Sequence, residues 1–239
     1  MPAHHATAAL GRKPAPASTL LLTHLNGANG STSLKDSSRF ARPVAPVGSA
    51  ALSTAQHAFG ASSLYSPDTA SGASIPDAAD LRALGGVRFW VLPHTDSFAG
   101  AEKEWFSKWD GNLSTSMLTI GMIGASGALY FYTSDGYQFF FGSPSSPAIQ
   151  NDGTWRFVAF EYHDDTRSAS LWIGKKGDAT AQRVLHQDAR KNSASTAPVR
   201  FCIDAAGVGG AKGWIDEVEI YSGARYGDVS SIPVPSAPF

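Results

Sequence analysis

At 239 residues with 43% hydrophobic and 11% aromatic side chains, the chain has enough apolar surface to offset the ordering entropy of one compact core, which excludes wholesale disorder. Lys and Arg number 19 against 20 Asp and Glu, with no run of one sign, so there is no electrostatic footprint for nucleic acid or an anionic membrane, and no apolar stretch predicts membrane insertion. The single cysteine, Cys202, excludes an intramolecular disulfide and reads as a small buried hydrophobe.

Three zones follow in chain order. Residues 1–18 are polar and Ala/Pro-rich, with no apolar stretch before Leu20, which argues against a signal peptide and for synthesis in a cytoplasm. Pro14 and Pro16 push the preceding residues toward extended geometry, so this segment is expected to be an extended N-terminal arm, suited to lying along a neighbouring subunit. Residues 19–230 form the body. In it Pro76 to Leu84, followed by Gly85-Gly86, predicts a helix of one or two turns. Val87, Phe89 and Val91 then alternate with Arg88, Trp90 and Leu92; Leu118, Ile120 and Met122 with Thr119 and Gly121; and Ala169, Leu171 and Ile173 with Ser168, Ser170 and Trp172. Such period-two patterning predicts strands with one face on a core. Asp110-Gly111, Asp135-Gly136 and Asp152-Gly153 supply the positive-φ residues of tight hairpin connections. Residues 231–239, with three prolines, read as an extended tail. About a dozen candidate strands and no long helix alternating with them predict an all-β, two-sheet antiparallel sandwich.

The body resembles a known family. Leu20-Leu21-Leu22-Thr23-His24-Leu25-Asn26-Gly27 followed by Asp36-Ser37-Ser38, then His57 to Tyr65 with its Phe59-Gly60 pair, Val87 to Pro93, Phe106 to Trp109, Asp152 to Ala159, Ser170 to Gly174 and Gly213 to Tyr221 occur in the order of the laminin G-like, concanavalin A-like lectin and glucanase superfamily. The resemblance implies a jelly roll and a role in binding carbohydrate or protein, frequently in bacteriophage virions. It also implies calcium where a metal is bound, with Asp216 joined by Asn26 and Gly27. Asparagine at position 26, where many relatives have aspartate, weakens such a site.

Chemistry has little support in the residues. The glucanase pattern of two glutamates and an aspartate along one strand is missing: none of Glu102, Glu104, Glu161, Glu217 and Glu219 has aspartate two positions on. Glu217 and Glu219 share a face of the last strand of the body and read as a solvated edge. His24, His57, His94, His163 and His186 are scattered singly, and His4-His5 lies in the arm. For sugar binding the candidates are Trp105, Trp109, Tyr130, Tyr132 and Tyr137, whose faces stack on pyranose rings; the alternative is that they pack in the core or under another subunit. The expectation is a non-enzymatic structural protein at a bacteriophage virion surface, in a capsid decoration or tail-associated role, whose partners are other virion proteins and copies of itself. The alternatives are a carbohydrate-binding receptor module for cell-surface glycans and a glycoside hydrolase of the same fold.

Overall fold

Aromatic and β-branched residues at every second position suit a pleated surface, and the alternating runs form strands. The computed structural model describes residues 17–100, 102–112, 116–133, 138–140, 148–189, 191 and 193–239. They contain β1 (Ser18–Thr23), β2 (Leu34–Lys35), β3 (Pro43–Val47), β4 (Ala51–Ser53), β5 (Ser63–Ser66), β6 (Gly72–Ile75), β7 (Leu84–Pro93), β8 (Glu102–Lys108), β9 (Leu118–Ile123), β10 (Leu129–Thr133) and β11 (Gln138–Phe140). They continue with β12 (Arg156–His163), β13 (Ser168–Lys175), β14 (Thr180–Asp188), β15 (Val199–Phe201), β16 (Gly213–Ser222) and β17 (Ser231–Pro233). No helix among the described residues is long and apolar enough to cross a membrane.

The strands form two antiparallel sheets. One runs β17-β14-β13-β12-β7-β16-β5-β4, with β1 also paired to β16; the other runs β11-β10-β9-β8-β15-β6-β3-β2. Between them lies the main core, where Phe89, Phe160 and Leu171 of the first sheet meet Phe106, Ile120 and Phe131 of the second. The rings of Phe131 and Phe160 meet edge to face at 5.1 Å, a favoured aromatic geometry. This is the expected sandwich. Strand β16 changes partner along its length: Gly213–Ile215 pair with β5, and Val218–Ser222 with β1. A bulge between Asp216 and Glu219, with Glu217 at φ 48°, makes the changeover.

Four details differ from the sequence expectation. The helix predicted over 76–84 is a short 3-10 turn at Ala79–Ala83, because β7 already begins at Leu84. Asp152-Gly153 forms a turn, with Gly153 at φ 67°, but leads from one sheet into the other and closes no hairpin. Strand β1 begins at Ser18, inside the segment read as an arm, and residues 1–16 lie outside the described residues. The Pro-rich tail is extended, yet its start is β17, paired with β14 through Ala181 and Ile232.

The tail also explains why alternate positions on the other face of the first sheet are buried. Trp90, Leu92, Phe157 and Trp172 point away from the main core into a second apolar cluster with Ile232 and Val234, packed against Phe59, Tyr226 and Phe239. Residues 223–239 and the loop around Phe59 thus cover the outer face of the first sheet. A buried aromatic side chain removes roughly 150–250 Å² from water, worth about 4–6 kcal/mol as an upper bound, so this layer is a substantial part of the stability. The Trp172 Nε1–H donates to the Val229 carbonyl at 3.1 Å, and the Arg88 guanidinium lies 3.8 Å from the Phe239 ring centroid.

Candidate functional site

The residues expected to hold calcium serve a loop instead. Asp216 is fully buried in the bulge; its Oδ2 accepts the N–H groups of Ala58 at 2.8 Å and Phe59 at 3.1 Å, and its Oδ1 accepts that of Glu217 at 2.9 Å. The Asn26 Oδ1 accepts from the N–H of Ala61 at 3.0 Å, and the Gly27 N–H donates to the Ser62 Oγ at 2.8 Å. The Asp216 Oδ2 and the Asn26 Oδ1 are therefore spent on the backbone of residues 58–61, and the Asp216 Oδ1 on Glu217. Burial pushes the Asp216 carboxyl up to about 8 against those N–H bonds, with Glu217 adding to the rise. A calcium ion needs six to eight oxygen ligands, and a carboxyl whose two oxygens already accept three backbone N–H groups does not fit one.

Glu217 and Glu219, read as a solvated edge, are buried, because β16 lies inside the sheet. They also have separate surroundings. Glu217 accepts from the Phe239 N–H at 3.0 Å and lies 2.9 Å from the His24 Nδ1. Burial raises the Glu219 carboxyl, but Arg225, Arg88 and Thr19 outweigh it and hold the carboxyl below its usual range. Such a clamped carboxylate is structural.

Of the aromatic candidates, the structure brings together Trp109, Tyr130 and Tyr132 and separates Trp105. A bulge between Glu104 and Phe106 turns Trp105 inward beside Phe106, so the expectation that it faces a ligand is wrong: it is fully buried in the main core. Tyr130 and Tyr132 do share the outer face of the second sheet, their rings 5.1 Å apart and edge to face. Tyr130 is buried, its hydroxyl closing over Gly121, where a Cβ would lie 2.4 Å from it, so it supports the surface from beneath. Tyr132 is half-buried, donates to the Glu102 Oε1 at 2.9 Å, and has its ring 6.3 Å from that of Trp109. Tyr137 lies outside the described residues.

Beside this ring pair is a cleft of about 270 Å³ lined by Glu104, Trp109, Asp110, Gly111, Asp204, Ala205 and Ala206. Its far wall is the 204–210 loop. The Gly209 carbonyl accepts the Glu104 N–H at 3.0 Å, and the Glu104 carbonyl accepts the Ala211 N–H at 3.0 Å, so the loop is laced to β8. Asp204 shapes the loop by accepting the Val208 N–H at 2.8 Å. On the cleft floor the Glu104 Oε2 is buried with no hydrogen-bond partner among the described residues. Burial, then the charges of Asp204 and Glu102, push its carboxyl up to about 8 against a bond from Ser107 and the Arg200 charge. At neutral pH Glu104 is therefore a protonated acid with a hydrogen to donate, while Asp204 across the cleft offers an acceptor. Arg200 donates to the Trp109 carbonyl at 2.5 Å and fixes the turn that carries the indole.

Sequence reasoning missed Glu104, Asp204 and Arg200. They lie far apart in the chain, and the bulge that aims Glu104 outward while Trp105 turns in leaves no trace in the period-two pattern.

No protein-family model matches the chain, and no curated protein matches it. Solved structures do. The binding domain of botulinum neurotoxin serotype D is similar with a TM-score of 0.57 and 13% identity over 86% of this chain and 48% of that one. The receptor-binding domain of botulinum neurotoxin type G gives 0.55 and 14% over 85% and 47%. The CBM40 of a Ruminococcus gnavus IT-sialidase bound to α2,6-sialyllactose gives 0.49 and 14% over 66% and 89%. The chain spans about half the length of the two toxin domains. At such identities the likeness to the two toxin domains shows the fold alone, an antiparallel β-sandwich of jelly-roll type.

Proposed function

We propose that this chain is a carbohydrate-binding β-sandwich and that the cleft beside β8 takes one uncharged sugar residue. The observation that carries the reading is the juxtaposition of Trp109, whose ring is backed by that of Tyr132, with the Glu104 and Asp204 carboxyls at one cleft. A pyranose has an apolar face and a rim of hydroxyls that both donate and accept. Trp109 offers the stacking surface, the Glu104 carboxyl, pushed up by burial, a donor, and the Asp204 oxygens an acceptor. The volume of about 270 Å³ is just below the roughly 300–1,000 Å³ of drug-sized sites and suits a single ring at a chain end or branch. Asp110 and Asp204 line the cleft and Glu102 adds its charge to Glu104, with Arg200 on the other side, so sulfated or carboxylated sugars are disfavoured. That the similar toxin structures are named as binding and receptor-binding domains agrees with a binding role.

A glycan panel followed by calorimetry tests this. Binding of a neutral hexose or N-acetylhexosamine is expected, weakened at least about tenfold by Trp109→Ala and by Glu104→Gln, a loss of about 1.4 kcal/mol. A silent panel, or affinity unchanged in both variants, overturns it. Turnover of a polysaccharide that disappears in Glu104→Gln would move the site to the glycosidase class, since acids of this kind also protonate leaving groups. The virion role, with copies of the chain or other virion proteins as partners, draws support only from the family resemblance and from the arm, whose residues 1–16 are outside the described residues. Loss of assembly on deleting residues 1–16 is what would favour it.

A further inference from the structure

On the opposite sheet, three strands and the tail segment converge on a group of nitrogen and oxygen donors that the cleft does not use. Glu161 of β12 is paired with Ser170 of β13, and Ser170 with His186 of β14, so their side chains form a row across one face. His163, two residues after Glu161, shares that face by the period of the strand. The Ser170 hydroxyl lies between the two imidazoles, 2.9 Å from the His163 Nε2 and 2.9 Å from the His186 Nδ1. Asp228 descends onto the row from the segment that covers the sheet, its Oδ1 3.7 Å from the His186 Nδ1. One donor atom from each of His163, His186 and Asp228 lies within 4.8 Å of the others.

We infer that His163, His186 and Asp228 form a binding site for a divalent transition-metal ion, zinc being the one they suit best. Two imidazoles and one carboxylate are a borderline-soft donor set, which selects zinc and its neighbours over calcium or magnesium. Tetrahedral zinc at about 2.0–2.1 Å from each donor spaces its ligands about 3.3 Å apart, so small side-chain rotations complete the site. The surroundings match what metal-bound histidines require. Glu161 places its Oε1 3.7 Å from the His163 Nδ1, while the Nε2 of the same ring faces the Ser170 hydroxyl, so a carboxylate stands behind this imidazole. Glu161 is itself immobile, since it accepts N–H groups from Arg225 at 2.6 Å, Tyr226 at 3.0 Å and Gly227 at 2.8 Å. Those three residues are in the segment that carries Asp228, so the outer layer of the sheet presents the third ligand. Arg183 pairs with the same Asp228 Oδ1, so an ion bound there competes with the guanidinium. The Ser170 hydroxyl, 2.9 Å from each imidazole nitrogen, gives up those two bonds when an ion takes the nitrogens. His186 and Asp228 are exposed, so an ion enters from solvent. Its effect is to fasten residues 223–230 to β12 and β14, a metal clip on the covering layer.

The test uses the full chain with His4→Ala and His5→Ala, so that the histidine pair near the start contributes nothing. Titration with cobalt(II), read by its visible ligand-field bands, and with zinc by calorimetry is expected to show one equivalent bound. Zinc at a hundredfold excess over Kd should raise Tm by roughly 5 °C or more, and a chelator should reverse the rise. His186→Ala and Asp228→Asn change exposed side chains and keep the fold, checked by an unaltered far-ultraviolet spectrum; each should weaken binding at least tenfold and abolish the tetrahedral cobalt spectrum. Absence of cobalt and zinc binding in the His4→Ala/His5→Ala chain overturns the inference. So does unchanged affinity in both His186→Ala and Asp228→Asn.

Discussion

Glu161→Ala is the most revealing single change outside the cleft. The fully buried carboxylate accepts the N–H groups of Arg225, Tyr226 and Gly227 and the Tyr221 hydroxyl, the last at 3.2 Å. A hydrogen bond to a charged group contributes about 1.5–3 kcal/mol net, so four bonds would sum to about 6–12 kcal/mol if nothing relaxed. The segment can relax, because residues 223–230 can lift toward water and rehydrate their N–H groups. The loss is then limited by the free energy with which this segment docks, and removal of one side of a buried charged network typically costs about 3–5 kcal/mol. In a domain of this length that lowers Tm by roughly 10 °C. Glu161→Gln keeps one acceptor oxygen but turns an N–H₂ toward the N–H donors, so it should lie between wild type and Glu161→Ala. Urea unfolding followed by tryptophan fluorescence reports the loss, since Trp172 is bonded to Val229 in the same segment. Limited proteolysis should show new cleavage near residues 223–230. A Glu161→Ala cost below about 1 kcal/mol, with no new cleavage, would refute the reasoning that this carboxylate anchors the covering layer.

Two further outcomes follow from the carboxyls. The Glu104 acid is raised to about 8 in the folded protein against 4.5 when unfolded, so the folded state binds the extra proton between those values. Its contribution to stability is therefore intact below pH 4.5, falls as pH rises toward 8 and levels off above it, and the difference in stability between wild type and Glu104→Gln, measured by denaturant unfolding across pH 4 to 9, should show that slope. A flat difference would remove the neutral acid from the cleft. At Asp216 calcium should leave Tm unchanged within about 1 °C, while Asp216→Ala should lower stability by about 2–4 kcal/mol through the stranded N–H groups of Ala58, Phe59 and Glu217. A calcium-dependent rise in Tm that vanishes in Asp216→Asn would restore the metal reading there.

The architecture was legible because period-two patterning is a local property: Val87–Val91, Leu118–Met122 and Ala169–Ile173 each mark a strand wherever it ends up in space. Even so, period-two patterning by itself implies one buried face. Trp90 and Trp172 are buried on the other, because residues 223–239 return over the sheet, a packing that no local signal in their Pro-rich composition announces. The sharing of one face by Tyr130 and Tyr132 was also legible, from alternation alone. Trp105 was misplaced because a bulge shifts the alternation by one residue, and a one-residue shift exchanges the two faces of a strand. Histidines 163 and 186 looked solitary at 23 positions apart, since strand pairing across β13 is what brings them to a common hydroxyl. Composition and periodicity thus determined that this chain folds as a β-sandwich with a large apolar interior. The register of the strands, two bulges and the route of the tail decided which polar groups meet, because such meetings depend on pairing between residues far apart in sequence, and no local pattern encodes that.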